Sequence, residues 1–164
     1  MRINDHVNFT GKVVIEIIDT NGNTKQIINV PNLIVSVGKN YIAGRLVPDT
    51  TFDDINYDTF KTPVRCLSHM AIGSSNEKPK LSDTGLGDFK QISELLALTV
   101  ENNVITANAV FGPTGGNAFM LAEAGLFNNG VELTDNIMLC RTTFTNVVKN
   151  PEDSLNITWT ITVA

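Results

Sequence analysis

Two histidines, two cysteines and a scatter of carboxylates are the side chains with which this chain could do chemistry. His6 stands near the N-terminus and His69 in an apolar run, with no His-x-x-x-His, paired-Cys or Glu-flanked His spacing. The ligand set of a zinc site is therefore not assembled by the sequence. A Ser-His-acid relay would have to recruit His69, yet there is no Gly-x-Ser-x-Gly and no serine on a strained turn, so His69 is expected as a packed or edge-strand residue. Gly112-Pro113-Thr114-Gly115-Gly116 lacks the Lys-Ser/Thr of a phosphate loop and reads as a turn. Cys66 and Cys140 are too few for a disulfide framework and are not spaced as a redox or metal pair; small apolar residues or a single bridge both fit them.

Among the carboxylates, Glu123 stands out, because it lies inside the run Leu121-Ala122-Glu123-Ala124-Gly125 on a strand face expected to be shared with Phe119, Leu121 and Phe127. A buried carboxylate is costly unless it is paired or hydrogen-bonded. A salt bridge to Arg45 or Arg141, or a role as acceptor of backbone amides, is the expected arrangement. A general acid would need a second carboxylate across a cleft, for which Glu94 or Asp88 are the candidates. Asp49, Asp53, Asp54 and Asp58 match no EF-hand spacing and lack the glycine of its sharp turn, so they are expected as a solvated acidic loop. On this basis we assign no catalytic, cofactor-binding or metal-binding residue and no cofactor, and expect a protein that is not an enzyme.

The elements that position these residues follow from composition and period. At 164 residues, 42% hydrophobic and 18% charged, the chain can bury roughly 70% of its unfolded surface as one domain. The net charge of −5 argues against nucleic acid or anionic membrane as a partner. The N-terminus lacks the apolar run of a signal peptide and no stretch approaches the ~20 apolar residues of a membrane helix, so folding in a cytoplasm is expected.

Val13–Asp19 and Thr24–Val30 flank Asn21-Gly22, a strong hairpin signal, and Pro31 ends the second strand. Val37, Tyr41, Ile42, Arg45 and Leu46 fall on one helical stripe with Ser36 placed as cap, predicting a short helix near 36–46. Residues 48–63 read as a long surface loop, Cys66–Gly73 as a buried strand, and Ser74–Asp88 as loop and turn. Phe89–Glu101 and Val104–Gly112, joined by Asn102-Asn103, predict a second hairpin; Ala118–Phe127 and Ile137–Val148 predict further strands. In Ser154–Val163, Leu155, Ile157, Trp159, Ile161 and Val163 alternate with Asn156, Thr158, Thr160 and Thr162, so one face enters a core that Trp159 anchors. The expectation is an N-terminal arm at 1–11 and a single all-β domain at 12–164, an antiparallel β-sandwich of jelly-roll type with about eight strands.

Several of these segments, taken in order, resemble bacteriophage virion structural proteins. They are Asn32-Leu33-Ile34-Val35 with Gly38-Lys39 and Ile42-Ala43-Gly44-Arg45-Leu46, then His69-Met70-Ala71-Ile72-Gly73-Ser74 with Thr84-Gly85-Leu86-Gly87. Ala122-Glu123-Ala124-Gly125-Leu126-Phe127, Met138-Leu139-Cys140-Arg141-Thr142-Thr143-Phe144 and Leu155–Val163 complete the series, which spans about two thirds of the chain. In tail-collar-fibre domains of that group a His-Met-Ala-hydrophobic-Gly strand precedes a Thr-x-x-Leu-Gly segment, and a Glu-x-Gly-Leu-Phe strand precedes the closing strands. The basic residue usual after Leu-Gly is displaced or replaced here, where Asp88-Phe89-Lys90 follows.

The resemblance implies a non-catalytic virion component, assembled in the host cytoplasm and built into the tail, baseplate or fibre attachment region. Its implied partners are other virion proteins and further copies of itself, as a homotrimer or higher symmetric assembly, with neither nucleic acid nor membrane. Loops 48–63 and 74–80 are the candidate contact segments. A capsid decoration (cement) protein is the first alternative. A carbohydrate-binding module is the second, resting on exposed Asn and Thr with Tyr41, Tyr57 and Trp159.

Overall fold

The computed structural model describes residues 8–44, 66–128 and 136–164. In chain order these hold β1 (Phe9–Ile18), β2 (Thr24–Pro31), β3 (Leu33–Ile34), α1 (Ser36–Gly44), β4 (His69–Gly73), β5 (Phe89–Glu101), β6 (Val104–Phe111), β7 (Phe119–Phe127), β8 (Met138–Lys149) and β9 (Ser154–Val163). The strands join in one antiparallel sheet of order β2-β1-β9-β6-β5-β4-β7-β8-β3. The class is all-β, and the sheet is nearly closed and barrel-like.

Local chemistry sets the hairpins. Between β1 and β2, Gly22 adopts φ 82°, and one Asp19 carboxylate oxygen accepts the amides of Asn21 and Asn23, both at 2.8 Å, which fixes the turn. Between β5 and β6, Asn102 takes φ 52°, a left-handed conformation that asparagine tolerates better than most residues. Phe9–Gly11, expected in the N-terminal arm, belong to β1 because the ladder to β9 continues to Phe9 opposite Val163. Residues 1–7 lie outside the described residues.

Rows of cross-strand neighbours build the core. Trp159 lies between Val13 and Ala107, Ile157 between Ile15 and Ala109, and Leu155 between Ile17 and Phe111. Small Ala107 and Ala109 leave room for the large residue beside them. This face packs in one buried cluster with Met70, Ile72, Leu121, Leu126, Leu139 and Phe144 from the β4-β7-β8 half. At about 25 cal/mol per Å² of apolar surface, each fully buried large side chain contributes roughly 1.5–3 kcal/mol. The two halves are joined by β5, whose Phe89–Glu94 end pairs with β4 and whose Leu95–Glu101 end pairs with β6, with a register shift between Leu95 and Ala97 where the strand changes partner. On the opposite side the sheet ends approach each other: the Thr142 hydroxyl of β8 donates to the Pro31 carbonyl of β2 at 2.6 Å, and the Asn32 amide donates to the Gly11 carbonyl at 3.2 Å.

The helix differs from its expectation in one detail. The Val35 carbonyl accepts the Lys39 amide at 3.0 Å, so Val35 holds the capping position and Ser36 is the first helical residue. Residues 45 and 46 of the expected helix lie outside the described residues. Val37 joins a second buried cluster of Val35, Ala71, Phe127 and Met138, while Tyr41 and Ile42 pack against the main core. Gly38, unfavourable by propensity, rests directly against the Leu139 carbonyl, an approach that a side chain there would block.

Candidate functional site

The most heavily built polar group is the clasp that Glu123 and Arg141 form over the β4-β7-β8 half. A register shift between Leu121 and Glu123 puts Leu121 in the core and Glu123 on the other face, correcting the expectation that the two share a face. Glu123 is fully buried, and Arg141 of the neighbouring strand donates through Nε at 2.9 Å and approaches through Nη2 at 2.7 Å. The other acceptor sites of Glu123 take backbone amides from the segment between β4 and β5: Asp88 at 2.7 Å, Gly87 at 3.0 Å and Ser75 at 3.2 Å. Arg141 Nη1 reaches Asp83 of that segment at 2.7 Å. Residues 74–88 are thus tied to the sheet at both charges. Gly73 is opposite Glu123 in the ladder, and a side chain at Gly73 would collide with that carboxylate.

The electrostatics follow from the geometry. Burial alone would lower the Arg141 guanidinium, but its bonds to Asp83 and Glu123 outweigh burial and raise it. Burial works against ionised Asp83, yet the Lys80 amide and Arg141 hold its carboxyl below the ordinary range. The Ser74 hydroxyl and then Lys90 lower Asp88. Asp88 therefore meets Glu123 through its backbone amide, and its carboxylate is bonded to Ser74 and Lys90. The two are not a cleft-spanning acid pair.

Glu94, the other candidate partner, is brought to His69 instead. His69 is opposite Glu94 in the β4-β5 ladder, with Nε2 to Oε1 at 4.0 Å, and its Nδ1 lies 2.8 Å from the Ser68 hydroxyl. Ser68 was not singled out by sequence because it sits on no nucleophile motif. The three groups are the types of a hydrolytic relay, but the Glu94 side chain is 87% exposed and stands beyond hydrogen-bond distance, so it cannot fix the imidazole as such a relay requires.

A second buried cation was missed by sequence reasoning. Lys149 is fully buried, donates to the carbonyls of Asp153 at 2.8 Å and Gly112 at 2.9 Å, and lies 5.9 Å from the Phe119 ring centre. Its signal was the two-residue step from Val147, which puts Lys149 on the inward phase of β8. Burial lowers its pKa, with Asp153 opposing. Asp153 in turn accepts Lys25 at 2.8 Å and the Asn150 side chain at 2.9 Å, so the β1-β2 hairpin, the β6-β7 connection and the β8-β9 turn are tied together at one end of the sheet. The Gly112–Gly116 segment is part of this tie, a turn held by lysine.

Cys140 is buried, with its thiol pushed up by that burial, and Cys66 is exposed; no disulfide joins them. The strand expected from Cys66 begins at His69. His6, Asp49, Asp53, Asp54, Asp58, Tyr57 and Arg45 lie outside the described residues. Trp159 is fully buried and offers no stacking face to a sugar. Among the described residues no group of three His, Cys, Asp or Glu side chains is gathered to hold a metal, and no helix is long and apolar enough to cross a membrane.

Among the described residues, two open surfaces adjoin each other on the β1-β9-β6-β5 half. The outer face of β1, β9 and β6 is a polar array in which Asn156 donates to Glu16 at 3.0 Å and Asn108 donates to Asn156 at 2.8 Å and Thr158 at 3.2 Å. Beside it, the Leu95–Glu101 end of β5 exposes Leu96, Leu98 and Val100. Comparison with protein-family models, with curated proteins and with solved structures gives no match to this chain.

Proposed function

We propose that the chain is a non-enzymatic structural protein of a bacteriophage particle, part of the tail, baseplate or fibre attachment region, acting as a symmetric homo-oligomer among other virion proteins. The observation that carries this reading is the convergence of the segments behind the virion resemblance. His69–Gly73 pairs with Glu123–Phe127, Gly87 donates to Glu123, and Arg141 closes the group, so pieces far apart in sequence meet at one ion pair. Glu123 and Arg141 are taken up by fixing a loop to a sheet, which suits a rigid building block. The polar face and the apolar strand edge supply surfaces of the kind that assembly contacts use. As part of the same proposal, the β2-β1-β9-β6 and β4-β7-β8-β3 halves act as two packed, sandwich-like layers, since both contribute to one core cluster.

Mass spectrometry of density-purified particles, released by the strain that carries the gene, tests the proposal. Recovery in stoichiometric amount relative to the other particle proteins is expected, with immunogold labelling at the tail. Labelling over the head lattice would replace the tail assignment with the decoration role, which the same surfaces support. Absence from particles would overturn both.

A further inference from the structure

Among the described residues, the two strands that end the sheet are blunted. β2 carries Lys25 and ends at Pro31, and β3 is only two residues long. Lysine, proline and shortness are the usual protections against edge-to-edge pairing. The stretch of β5 that extends beyond β4 has none of these. β4 ends at the His69–Glu94 pair, the Leu95 amide still donates to the Ser68 carbonyl at 2.8 Å, and among the described residues no strand covers Leu96–Glu101 on the side away from β6. That stretch contains no proline and no lysine, and its only charge is the terminal Glu101. Leu98 is opposite buried Ala107 and Val100 is opposite Ile105, so both stand on the face that elsewhere lines the core, yet they are 39% and 69% exposed. Leu96, at the register shift, is 70% exposed.

We infer that this edge is a self-association surface on which β5 of a second copy pairs antiparallel, about a twofold axis at Leu98. The inference rests on, and deepens, the assembly role proposed above. The occupant is argued from the edge's own sequence. Antiparallel pairing centred on Leu98 sets Leu98 against Leu98, Leu96 against Val100 and Ala97 against Thr99, so apolar residues meet apolar ones on one face. Leu95 is already bonded to Ser68, so the new ladder runs over Leu96–Val100 and Glu101 lies beyond its end, with no carboxylate facing another across the axis, which matters for a chain of net charge −5. The join also carries the Thr/Asn face of β1, β9 and β6 on into the second copy. Such a contact is isologous and gives a dimer; combined with a threefold contact elsewhere it generates a closed hexamer. A paired edge of about five residues buries less than the ~800 Å² per partner of a standard interface, so association on the order of micromolar is expected.

Sedimentation velocity of the full chain from about 1 to about 200 µM reads this equilibrium. Dimer is expected to accumulate across that range. Leu98→Lys, which sets two ammonium groups together on the axis, is expected to weaken it at least ~10-fold, while Asn117→Lys in the exposed β6-β7 connection leaves it unchanged. In a Cys66→Ser background, Leu98→Cys should oxidise to a covalent dimer and Thr99→Cys should do so far less. A wild-type chain that stays monomeric throughout, or a dimer indifferent to Leu98→Lys with no 98–98 disulfide, overturns the inference. If particles contain the chain but it fails these tests, the contact is wrong and the virion role stands. If the 98–98 dimer forms and no particle contains the chain, the contact stands and the virion role falls.

Discussion

Glu123 and Arg141 occupy neighbouring strands, and their Oε2 to Nη2 separation of 2.7 Å is closed off from solvent by the loop whose amides Glu123 accepts. Burying two charges is offset only when the remaining donors and acceptors are satisfied, and here three amides and Asp83 satisfy all but Arg141 Nη2, which meets Glu123 as an ion pair without a hydrogen bond. Removing one partner strands the other. Arg141→Met is expected to cost about 3–5 kcal/mol in urea unfolding. The double variant Glu123→Leu with Arg141→Met should cost clearly less than the sum of the single changes. Additive losses would show that the pair is not coupled.

Of the aspartates whose carboxyls are held low, Asp19 and Asp88 are open to solvent, so acid sensitivity should trace chiefly to Asp83 and Asp153. The Lys25 ammonium holds Asp153 low, and the Lys80 amide and Arg141, against burial, do the same for Asp83. A carboxyl depressed in the folded state adds stability that is fully present above its unfolded value of ~3.9 and is lost as pH falls through the folded value. Unfolding free energy is therefore expected to be flat from about pH 7 to about pH 5 and to fall below about pH 4. Asp83→Asn and Asp153→Asn should each make the acid limb shallower while lowering the neutral plateau. An acid limb unchanged in both variants would place the titrating groups elsewhere.

The parts of this fold that were legible in the sequence are those fixed by neighbours in the chain. The alternation of Leu155, Ile157, Trp159 and Ile161 marked a core face, and Asn21-Gly22 and Asn102-Asn103 marked turns, because period and φ preference are local properties. What escaped depends on register. The shift beside Glu123 moved it to the face opposite Leu121, and nothing in Leu121-Ala122-Glu123 announces a bulge. Near-closure of the sheet depends on Thr142 meeting Pro31 across 111 positions of chain, which no local signal encodes. The choice of Arg141 for Glu123, and of the Asp88 amide over its carboxylate, likewise followed from strand order.

The seat of α1 on β8 depends on Gly38. A methyl group there would meet the Leu139 carbonyl, a backbone atom that cannot move without disturbing the β8 ladder. In an open helix, Gly→Ala stabilises by up to about 1 kcal/mol. Here Gly38→Ala is expected to destabilise by about 1–3 kcal/mol and to raise amide exchange over 36–44, with little change at β9. A stabilised Gly38→Ala variant would show that the helix is not held against the strand.

Trp159 separates the contribution of volume from that of polarity. Its ring fills the row between Val13 and Ala107 and is fully buried, while its Nε1 has no hydrogen-bond partner among the described residues. Trp159→Ala empties the row and is expected to cost about 3–5 kcal/mol in urea unfolding. Trp159→Phe also loses volume, but it removes a buried N–H whose lack of a partner costs about 1–3 kcal/mol, so the net loss should stay under about 2 kcal/mol. If Phe is as costly as Ala, the indole N–H is bonded in solution, by a bound water or by residues outside those described, and Trp159 supports the core through polarity as well as bulk.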